Sequence, residues 1–395
     1  MPELQTRLHP AVPEPRASRP QARALLTAAA PALAAYAAVR ALGLLALALW
    51  APAEGKSAPH LLGGRWDSVW YQRIAEHGYG YTATLPDGGV HPDLAFFPLL
   101  PALERGLATV TPLTVEGAGI AVAWVAGLVA AWGVFAVGAR LHDRRTGVVL
   151  AALWGAYPTG FVQSMAYTET LFTACAAWSL YAVLKGRWIT AGALCVLAGL
   201  TRPTAAALIA ALAVTALSVL VREWRAGRRD GLLRRNIRML LGVCLAPLGW
   251  LGYVVFVAVR QGSPFAYFDV QARWGNSIDG GRALAAFIAG LPLPAALGLC
   301  AALGLLGWLV VLCVRQRQPL PLLVYGIAVV VVSLIGSGYF GSRPRLMMPA
   351  FPLLLPPAVA LAGLRTTART AAVVTVAALA SAVYGAWTLL GSGPP

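Results

Sequence analysis

The chain has 395 residues, of which 58% are hydrophobic and only 12% are charged, and its mean hydropathy is +0.69. Soluble globular domains carry about 25% charged residues, so this composition excludes an ordinary soluble enzyme. Apolar runs recur along almost the whole length, which predicts an all-α polytopic membrane protein. The net charge of +16 does not indicate a nucleic-acid partner, because the excess follows the membrane topology described next.

Eleven apolar runs predict about eleven transmembrane helices. They lie at residues 27–51, 115–139, 147–163, 166–184, 188–200, 204–221, 239–259, 293–314, 319–335, 347–364 and 371–390. The segments on the same side of the membrane as the N-terminus hold 20 lysines and arginines against 5 acids. Those on the other side hold 10 lysines and arginines against 10 acids, if Glu116 and Glu169 at the outer ends of two runs are counted with them. The positive-inside rule therefore predicts a cytoplasmic N-terminus.

Residues 1–24 are polar, basic and rich in proline, and we expect a disordered cytoplasmic segment there. Residues 25–390 are expected to form one transmembrane domain, with the long extracytoplasmic loop 52–114 inserted after the first span. The five cysteines lie inside apolar runs without paired spacing, which argues against disulfides and zinc. A bias toward Ala, Arg, Gly and Pro indicates a bacterial source, and therefore the plasma membrane.

The long loop 52–114 carries the most informative polar residues. Trp66 and Asp67 precede a stretch, Ser68 to His77, whose aromatic residues recur at helical spacing. This spacing predicts a short helix at the membrane surface. A second apolar element over 93–107 contains two prolines, which argues against a further crossing.

Further ionisable residues interrupt or flank later apolar runs on the same predicted side. Arg202 lies in "LTRPT" at the tip of a predicted hairpin, and Glu169 begins a helix in "MAYTETLF". Arg343 and Arg345 lie in the break "GSGYFGSRPRLMMPAFP". Because ionisable residues are costly near lipid, their retention indicates function or pairing.

These residues suit one reaction in particular. The sequence has no phosphate-binding loop and no dinucleotide fingerprint, and the ionisable residues face away from the cytoplasm, so an activated substrate is expected to arrive on a lipid. A sugar on a polyprenyl phosphate leaves behind a phosphate anion, which arginines stabilise without a metal. Asp67 is the candidate base for the acceptor hydroxyl in an inverting transfer. Arg202, Arg343 and Arg345 are the candidate phosphate ligands.

Each assignment has a structural alternative. Asp67 is placed to cap a helix, the three arginines to anchor the chain at lipid headgroups, and Glu169 to complement a helix dipole. His91 and Asp93 resemble metal ligands, but no second paired spacing exists, so no metal and no cofactor are expected. The sequence leaves these alternatives open. The expected substrate-binding residues are Trp66, Tyr71, His91, Asp93 and Glu169.

Several segments taken together resemble the GT-C membrane glycosyltransferases, and among them the PIG-V-type mannosyltransferases and their bacterial relatives. The resemblance extends over most of residues 25–365 and is carried by "RWDSVWYQRIAEHGYGY", "AFFPLLP", "YTETLF", "GLTRPT" and "SRPRLMMPAFPLLLP". It implies transfer of a sugar, usually mannose, from a polyprenyl-phosphate donor to an extracytoplasmic acceptor with inversion. It also implies that an acid of the first loop, here Asp67, takes part in catalysis.

Other functions remain possible on the sequence alone. A transporter or flippase of a lipid-linked substrate requires ionisable residues near the bilayer midplane, where only Arg40 is placed. Arabinofuranose, glucose or an N-acetylhexosamine are alternatives to mannose. A scaffold without activity is disfavoured, because the polar residues cluster on one face. The acceptor, whether glycolipid, glycan or protein, is open.

Overall fold

The protein is an all-α integral membrane protein, as its composition predicts. The computed structural model describes residues 19–84 and 89–393, with side chains from residue 26 onward. Every predicted apolar run contains at least one helix. The first helix already begins at Arg19, and the predicted disorder of residues 1–18 lies outside the described residues.

The described helices are labelled α1 to α19 in chain order. Their bounds are Arg19–Trp50, Ala58–Gly63, Asp67–His77, Leu99–Val110, Val115–Leu141, Arg144–Gly155, Glu169–Leu184, Trp188–Gly199, Ala205–Arg225, Leu232–Arg235, Ile237–Leu245, Leu248–Gln261, Ala266–Arg273, Arg282–Gly290, Leu293–Arg315, Leu320–Ile335, Arg343–Met347, Leu355–Ala362 and Thr367–Leu390. Short 3-10 helices cover Ala51–Glu54, Asp93–Ala95, Gly160–Ser164, Phe340–Ser342 and Phe351–Leu354.

Within the described residues, six stretches are long and apolar enough to cross a membrane alone, among them α1, α5 and α19. The segments Phe340–Met347 and Phe351–Ala362 form a pair bent by 72°, which gives a seventh if the pair counts as one span. Helices α7, α8 and α16 are apolar but have only 10 to 17 residues. The count of eleven crossings therefore stays a prediction.

The loop 52–114 folds into a layer of its own. Helices α2 and α3 are followed by two short antiparallel strands, β1 (Thr82–Thr84) and β2 (Val90–Pro92), and then by α4. Pro98 lies at the N-cap of α4, and Pro101 lies in its first turn. Proline has no backbone N–H, and it is tolerated there because the N–H groups of a first turn have no partner within the helix. The two elements expected at the membrane surface are thus α3 and α4, and the strands were not predicted.

Glycines let the middle helices approach closely. A Cβ added to Gly192 of α8 would lie 2.2 Å from the carbonyl oxygen of Gly242 in α11, and one added to Gly249 of α12 would lie 2.0 Å from that of Val196 in α8. Membrane helices gain stability from such close contacts, because no hydrophobic effect drives their association in lipid. The two glycines thus set the distance between α8 and the α11–α12 pair.

Glu104 of α4 is a buried carboxyl in the loop layer, outside the spanning helices. Only 1% of the residue is exposed, its Oε2 has no hydrogen-bond partner among the described residues, and its Oε1 lies against Gly119 of α5. Burial, and secondarily the charge of Glu76, raise the pKa of Glu104 from 4.5 to about 9. The side chain is therefore neutral at pH 7.

We predict that Glu104→Gln raises the thermal stability of the protein. A raised folded-state pKa means that the wild type loses stability as pH increases from the ordinary value of 4.5 to about 9. The neutral amide avoids this loss, so the Tm difference should be near zero at pH 4.5 and grow to several degrees at pH 8. Melting curves in detergent over this range measure it, with exposed Glu54→Gln as the control; a difference independent of pH would contradict the prediction.

Candidate active site

Four charged side chains from distant parts of the chain meet at one end of the helix bundle. Asp67 begins α3, Glu169 begins α7, Arg202 lies in the turn between α8 and α9, and Arg345 lies in α17. We call these four residues the charge cluster. Each of them was a candidate from the sequence, and the tertiary structure brings all four together.

The guanidinium of Arg345 connects the two acids of the cluster. Its Nη2 lies 2.7 Å from Oδ2 of Asp67, and its Nε lies 3.6 Å from Oε1 of Glu169. The same Glu169 oxygen lies 2.9 Å from Nη1 of Arg202. The order of contacts is therefore acid, arginine, acid, arginine, and the four formal charges sum to zero.

Solvent reaches one end of this chain of contacts. The Asp67 side chain is 29% exposed, while those of Glu169, Arg202 and Arg345 are 3%, 9% and 10% exposed. Buried charges require partners, because transfer out of water costs several kcal/mol for each ion. Asp67 is thus the accessible carboxylate, and Glu169 is the internal counter-ion of both arginines.

Local sequence places Arg202 at the cluster. Pro203 disfavours helical backbone at the residue before it, so α8 ends and Arg202 lies in a turn. The tip of this hairpin is fixed to the loop layer, because the Leu99 N–H donates to the carbonyl of Leu200 at 3.0 Å. Thr201 stays within the turn, donating its hydroxyl to the carbonyl of Ala198 at 2.6 Å.

The segment before α7 contacts Asp67 and Arg345 through the side chain of Tyr167. The backbone N–H of Asp67 donates to the hydroxyl of Tyr167 at 3.2 Å, and the Arg345 guanidinium lies 5.0 Å from the centre of the Tyr167 ring. Tyr71 joins the same segment, with its hydroxyl 3.4 Å from Thr168 Oγ1. Tyr167 was missed from the sequence, although it stands two residues before Glu169 in the quoted "YTETLF".

The arginines retain N–H donors that no described protein group accepts. These buried atoms are Nε and Nη1 of Arg202 and Nε and Nη1 of Arg345. Two of them, Arg202 Nη1 and Arg345 Nε, lie within ion-pair distance of Glu169 without the geometry of a hydrogen bond. The unused donors are therefore Arg202 Nε and Arg345 Nη1. Such donors match the oxygens of a phosphate.

The two acids lie in the first turns of their helices and not at the N-cap positions. The N-cap position of α3 is Trp66, and the Asp67 carboxylate contacts Arg345. The N-cap of α7 is Thr168, and the Glu169 carboxylate contacts arginines. Neither acid is therefore an N-cap residue, and both lie in the first turn, where a negative charge also favours the helix dipole.

Arg343, also a candidate phosphate ligand, lies in the same helix as Arg345 but is directed elsewhere. It donates to the carbonyls of Leu334 and Gly336 at 2.9 and 2.6 Å. These carbonyls belong to the end of α16, where a cation is favourable. Of the two arginines in "RPR", only Arg345 belongs to the charge cluster.

The remaining candidates lie in the loop layer around α3. The Oδ2 atom of Asp93 accepts the backbone N–H groups of Gly80 and Tyr81, both at 2.9 Å, and Asp93 is 1% exposed. The His91 ring contacts the edge of Trp274, with 4.7 Å between ring centres. Within the described residues no group of three or more His, Cys, Asp or Glu side chains is placed to hold a metal ion. Asp93 thus braces the loop.

Trp66 and Tyr71, the expected aromatic contacts, flank Asp67. The Trp66 ring packs against the hydrophobic core and lies 4.0 Å from the Arg65 guanidinium. Tyr71 is buried, with its ring edge-on to Phe96 at 5.2 Å between centres. Both side chains fix the orientation of α3, and their contact with a substrate stays a prediction.

Comparison with known proteins gives a structural likeness. No family model matches the sequence, and no curated protein matches it at a significant level. The crystal structure of ArnT from Cupriavidus metallidurans bound to undecaprenyl phosphate has a TM-score of 0.53 and 16% identity to this chain, covering 86% of this chain and 61% of ArnT. The apo structure of ArnT gives 0.49 and 18%, covering 78% and 56%.

At 16% identity, the likeness to the first of these structures concerns the fold. The chain has the GT-C fold. The sequence resemblance to the GT-C membrane glycosyltransferases is therefore confirmed for the fold, while the likeness to the PIG-V type stays a prediction. The GT-C fold described here spans 61% of the length of ArnT.

We predict that Glu169→Gln destabilises the protein more than Asp67→Asn. Loss of Glu169 leaves Arg202 without an acidic partner among the described residues, and breaking a buried ion pair costs about 3–5 kcal/mol. Loss of Asp67 leaves Arg345 close to Glu169, and part of the Asp67 interaction is screened by solvent. Thermal melting of the purified variants in detergent measures both changes, and equal Tm values for the two would refute the ranking.

Proposed function

We propose that this protein is an inverting glycosyltransferase that moves a sugar, most favourably mannose, from a polyprenyl-phosphate donor to an extracytoplasmic acceptor. One observation carries the proposal: in a GT-C fold, a solvent-accessible carboxylate, Asp67, is held 2.7 Å from a buried arginine that has unused donors. Base and phosphate ligand are thus adjacent, as displacement of a lipid phosphate requires.

Asp67 acts as the general base. Its carboxylate takes the proton of the acceptor hydroxyl while the acceptor oxygen attacks the anomeric carbon. The bond between that carbon and the phosphate oxygen breaks, and the lipid keeps the electron pair as a phosphate monoester. One displacement inverts the configuration at the anomeric carbon, so no second carboxylate is needed as a nucleophile.

Arg345 compensates the charge that moves during this step. Before transfer the negative charge is on Asp67, and after transfer Asp67 is neutral while the phosphate carries one more charge. The Arg345 guanidinium contacts Asp67 through Nη2 and keeps an unused donor, Nη1. It can therefore bind Asp67 and the phosphate at the same time. Stabilising charge where it develops is commonly the largest contribution to catalysis.

Glu169 and Arg202 complete the phosphate site. Glu169 balances the charge of both guanidinium groups and holds them close together, and Arg202 adds a further buried donor, its Nε. Arg345 also lies where it contacts both carboxylates, the position that a shared divalent cation would occupy. We therefore propose that the reaction needs no metal and no other cofactor.

The nature of the donor is supported by analogy. The ArnT structure with the same fold was solved with undecaprenyl phosphate bound. A donor with a polyprenyl phosphate fits a site formed by buried arginines at one end of a membrane helix bundle. The basic residues of the opposite segments support a cytoplasmic N-terminus and an extracytoplasmic site, in a bacterial plasma membrane.

The alternative of a transporter or flippase gains no support from Arg40. This arginine of α1 is 7% exposed and donates from Nη1 to the carbonyl of Gly160. Its hydrogen bond is with backbone of a neighbouring segment. The charge cluster, by contrast, has a partly exposed acid at its edge, which suits transfer to an acceptor.

We predict that Asp67→Asn abolishes sugar transfer while the protein still folds. General-base catalysis typically contributes about 10²–10⁴-fold in rate, so transfer should fall by at least about 100-fold. Membranes with either protein are assayed with radiolabelled polyprenyl-phosphate mannose and EDTA, and the labelled product identifies the acceptor. Transfer only from arabinofuranose or glucose donors would correct the sugar; equal transfer by both proteins would overturn the role of Asp67.

A second prediction separates the two arginines of α17. Arg345→Lys keeps the charge but loses the planar fork, so we expect the transfer rate to fall by about 100-fold. Arg343→Lys is the matched control, because Arg343 donates to carbonyls at the end of α16. Its transfer rate should stay within about threefold of the wild type. An equal loss in both variants would contradict the assignment of Arg345.

A further inference from the structure

The backbone immediately before Asp67 has an unusual conformation. Trp66 has φ 53° and ψ −124°, and among the described residues other than glycine only Arg317 also has a positive φ. A bulky side chain is strained in this region, and such strain persists only where surrounding contacts enforce it. Contacts around Trp66 must therefore hold the backbone in this conformation.

Arg65 supplies one set of these contacts. Its Nη1 and Nη2 donate to the carbonyls of Leu389 and Gly391, at 2.8 and 3.0 Å. Lys56 donates to the carbonyl between them, that of Leu390, at 2.5 Å. The last carbonyls of a helix have no partner within the helix and favour cations. Two cations of the first loop thus hold the C-terminal end of α19.

The same guanidinium also holds the Trp66 ring. The Arg65 Cζ lies 4.0 Å from the ring centre, within the range of a cation–π contact. Trp66 also packs against the main hydrophobic core. Arg65 is therefore joined to α19 and to the strained residue at once, and the turn cannot relax without losing one of these contacts.

We propose that Arg65 and Trp66 are positioning residues for Asp67. The fork of Arg65 on α19 keeps Trp66 in its strained turn, and this turn starts α3 so that Asp67 faces Arg345. The Tyr167 hydroxyl, accepting the Asp67 N–H at 3.2 Å, holds the other side. The catalytic part of this inference rests on the proposed function, and the structural part does not.

A double-mutant cycle between Arg65 and Asp67 tests the proposal. Wild type, Arg65→Met, Asp67→Asn and the double variant are purified, and both Tm and the rate of sugar transfer are measured. If Arg65 acts through Asp67, the two changes are not additive. The Tm loss caused by Asp67→Asn should fall by at least half in the Arg65→Met protein, because the contact of Asp67 with Arg345 is already weakened.

The transfer assay gives the second half of the cycle. Arg65→Met should lower kcat by about 10–100-fold with the donor KM within about twofold, as expected when geometry near the chemistry is lost. In the Asp67→Asn background the same change should cost less than about twofold. Additive effects on Tm would overturn the positioning role. Absence of transfer by the wild type with every sugar donor would overturn the proposed function alone, since the Tm cycle still decides the inference.

Arg73→Met is the matched control. Arg73 lies on α3, the helix that Asp67 begins, and like Arg65 it stacks on an aromatic ring, with its Cζ 3.5 Å from the centre of Tyr81. Its kcat should stay within about twofold of the wild type, and an equal loss would contradict a specific role for Arg65. If Arg65→Met does not fold, Arg65→Lys replaces it, because lysine keeps the charge and loses the fork.

Trp66 is tested by comparing two small residues. At a positive φ glycine is less strained than alanine, whereas at ordinary backbone angles alanine is the more stable. Trp66→Gly should therefore melt at a higher temperature than Trp66→Ala. The kcat of Trp66→Gly should be lower than that of the wild type, because the turn is no longer constrained. The opposite order of melting temperatures would show that the turn is unstrained and would overturn this part of the proposal.

Discussion

The structure depends on the position of one guanidinium, that of Arg345, between Asp67 and Glu169. An arginine that is 10% exposed in a membrane protein requires counter-charge, because its desolvation costs several kcal/mol. That requirement brings the first loop, the start of α7 and the break before α18 to one place. Arg202 can be buried as a second cation, because Glu169 is the counter-ion of both arginines.

This arrangement connects stability to the proposed chemistry. Two acids and two arginines form a neutral set, so the buried charges are tolerated before any substrate arrives. The set is also uneven, because the outermost acid is accessible and the arginines have donors that the protein leaves unused. A displacement that moves one negative charge from Asp67 to a phosphate would therefore leave the arginines paired throughout.

The loop layer around Asp67 is held in place by its own polar contacts. Asp93 binds the backbone of Gly80 and Tyr81, and His91 packs on Trp274 of the later loop. On the other side, Arg65 binds the end of α19. A polar residue in a loop has the same appearance in a sequence whether it braces backbone or binds a substrate. For this reason the sequence predicts His91, Asp93 and Arg343 as site residues together with Asp67 and Arg345.

The sequence by itself determined the membrane class and the helical runs, and it singled out Asp67, Glu169, Arg202 and Arg345 as candidates. These follow from hydropathy and the cost of ionisable residues near lipid, which are local properties of the chain. Only the tertiary structure decided which arginine of "RPR" meets Asp67, that Tyr167 supports it, and that the end of α19 holds Arg65. Such pairings join residues separated by 100 to more than 300 positions, and a sequence pattern carries no information about contacts formed by packing at that separation.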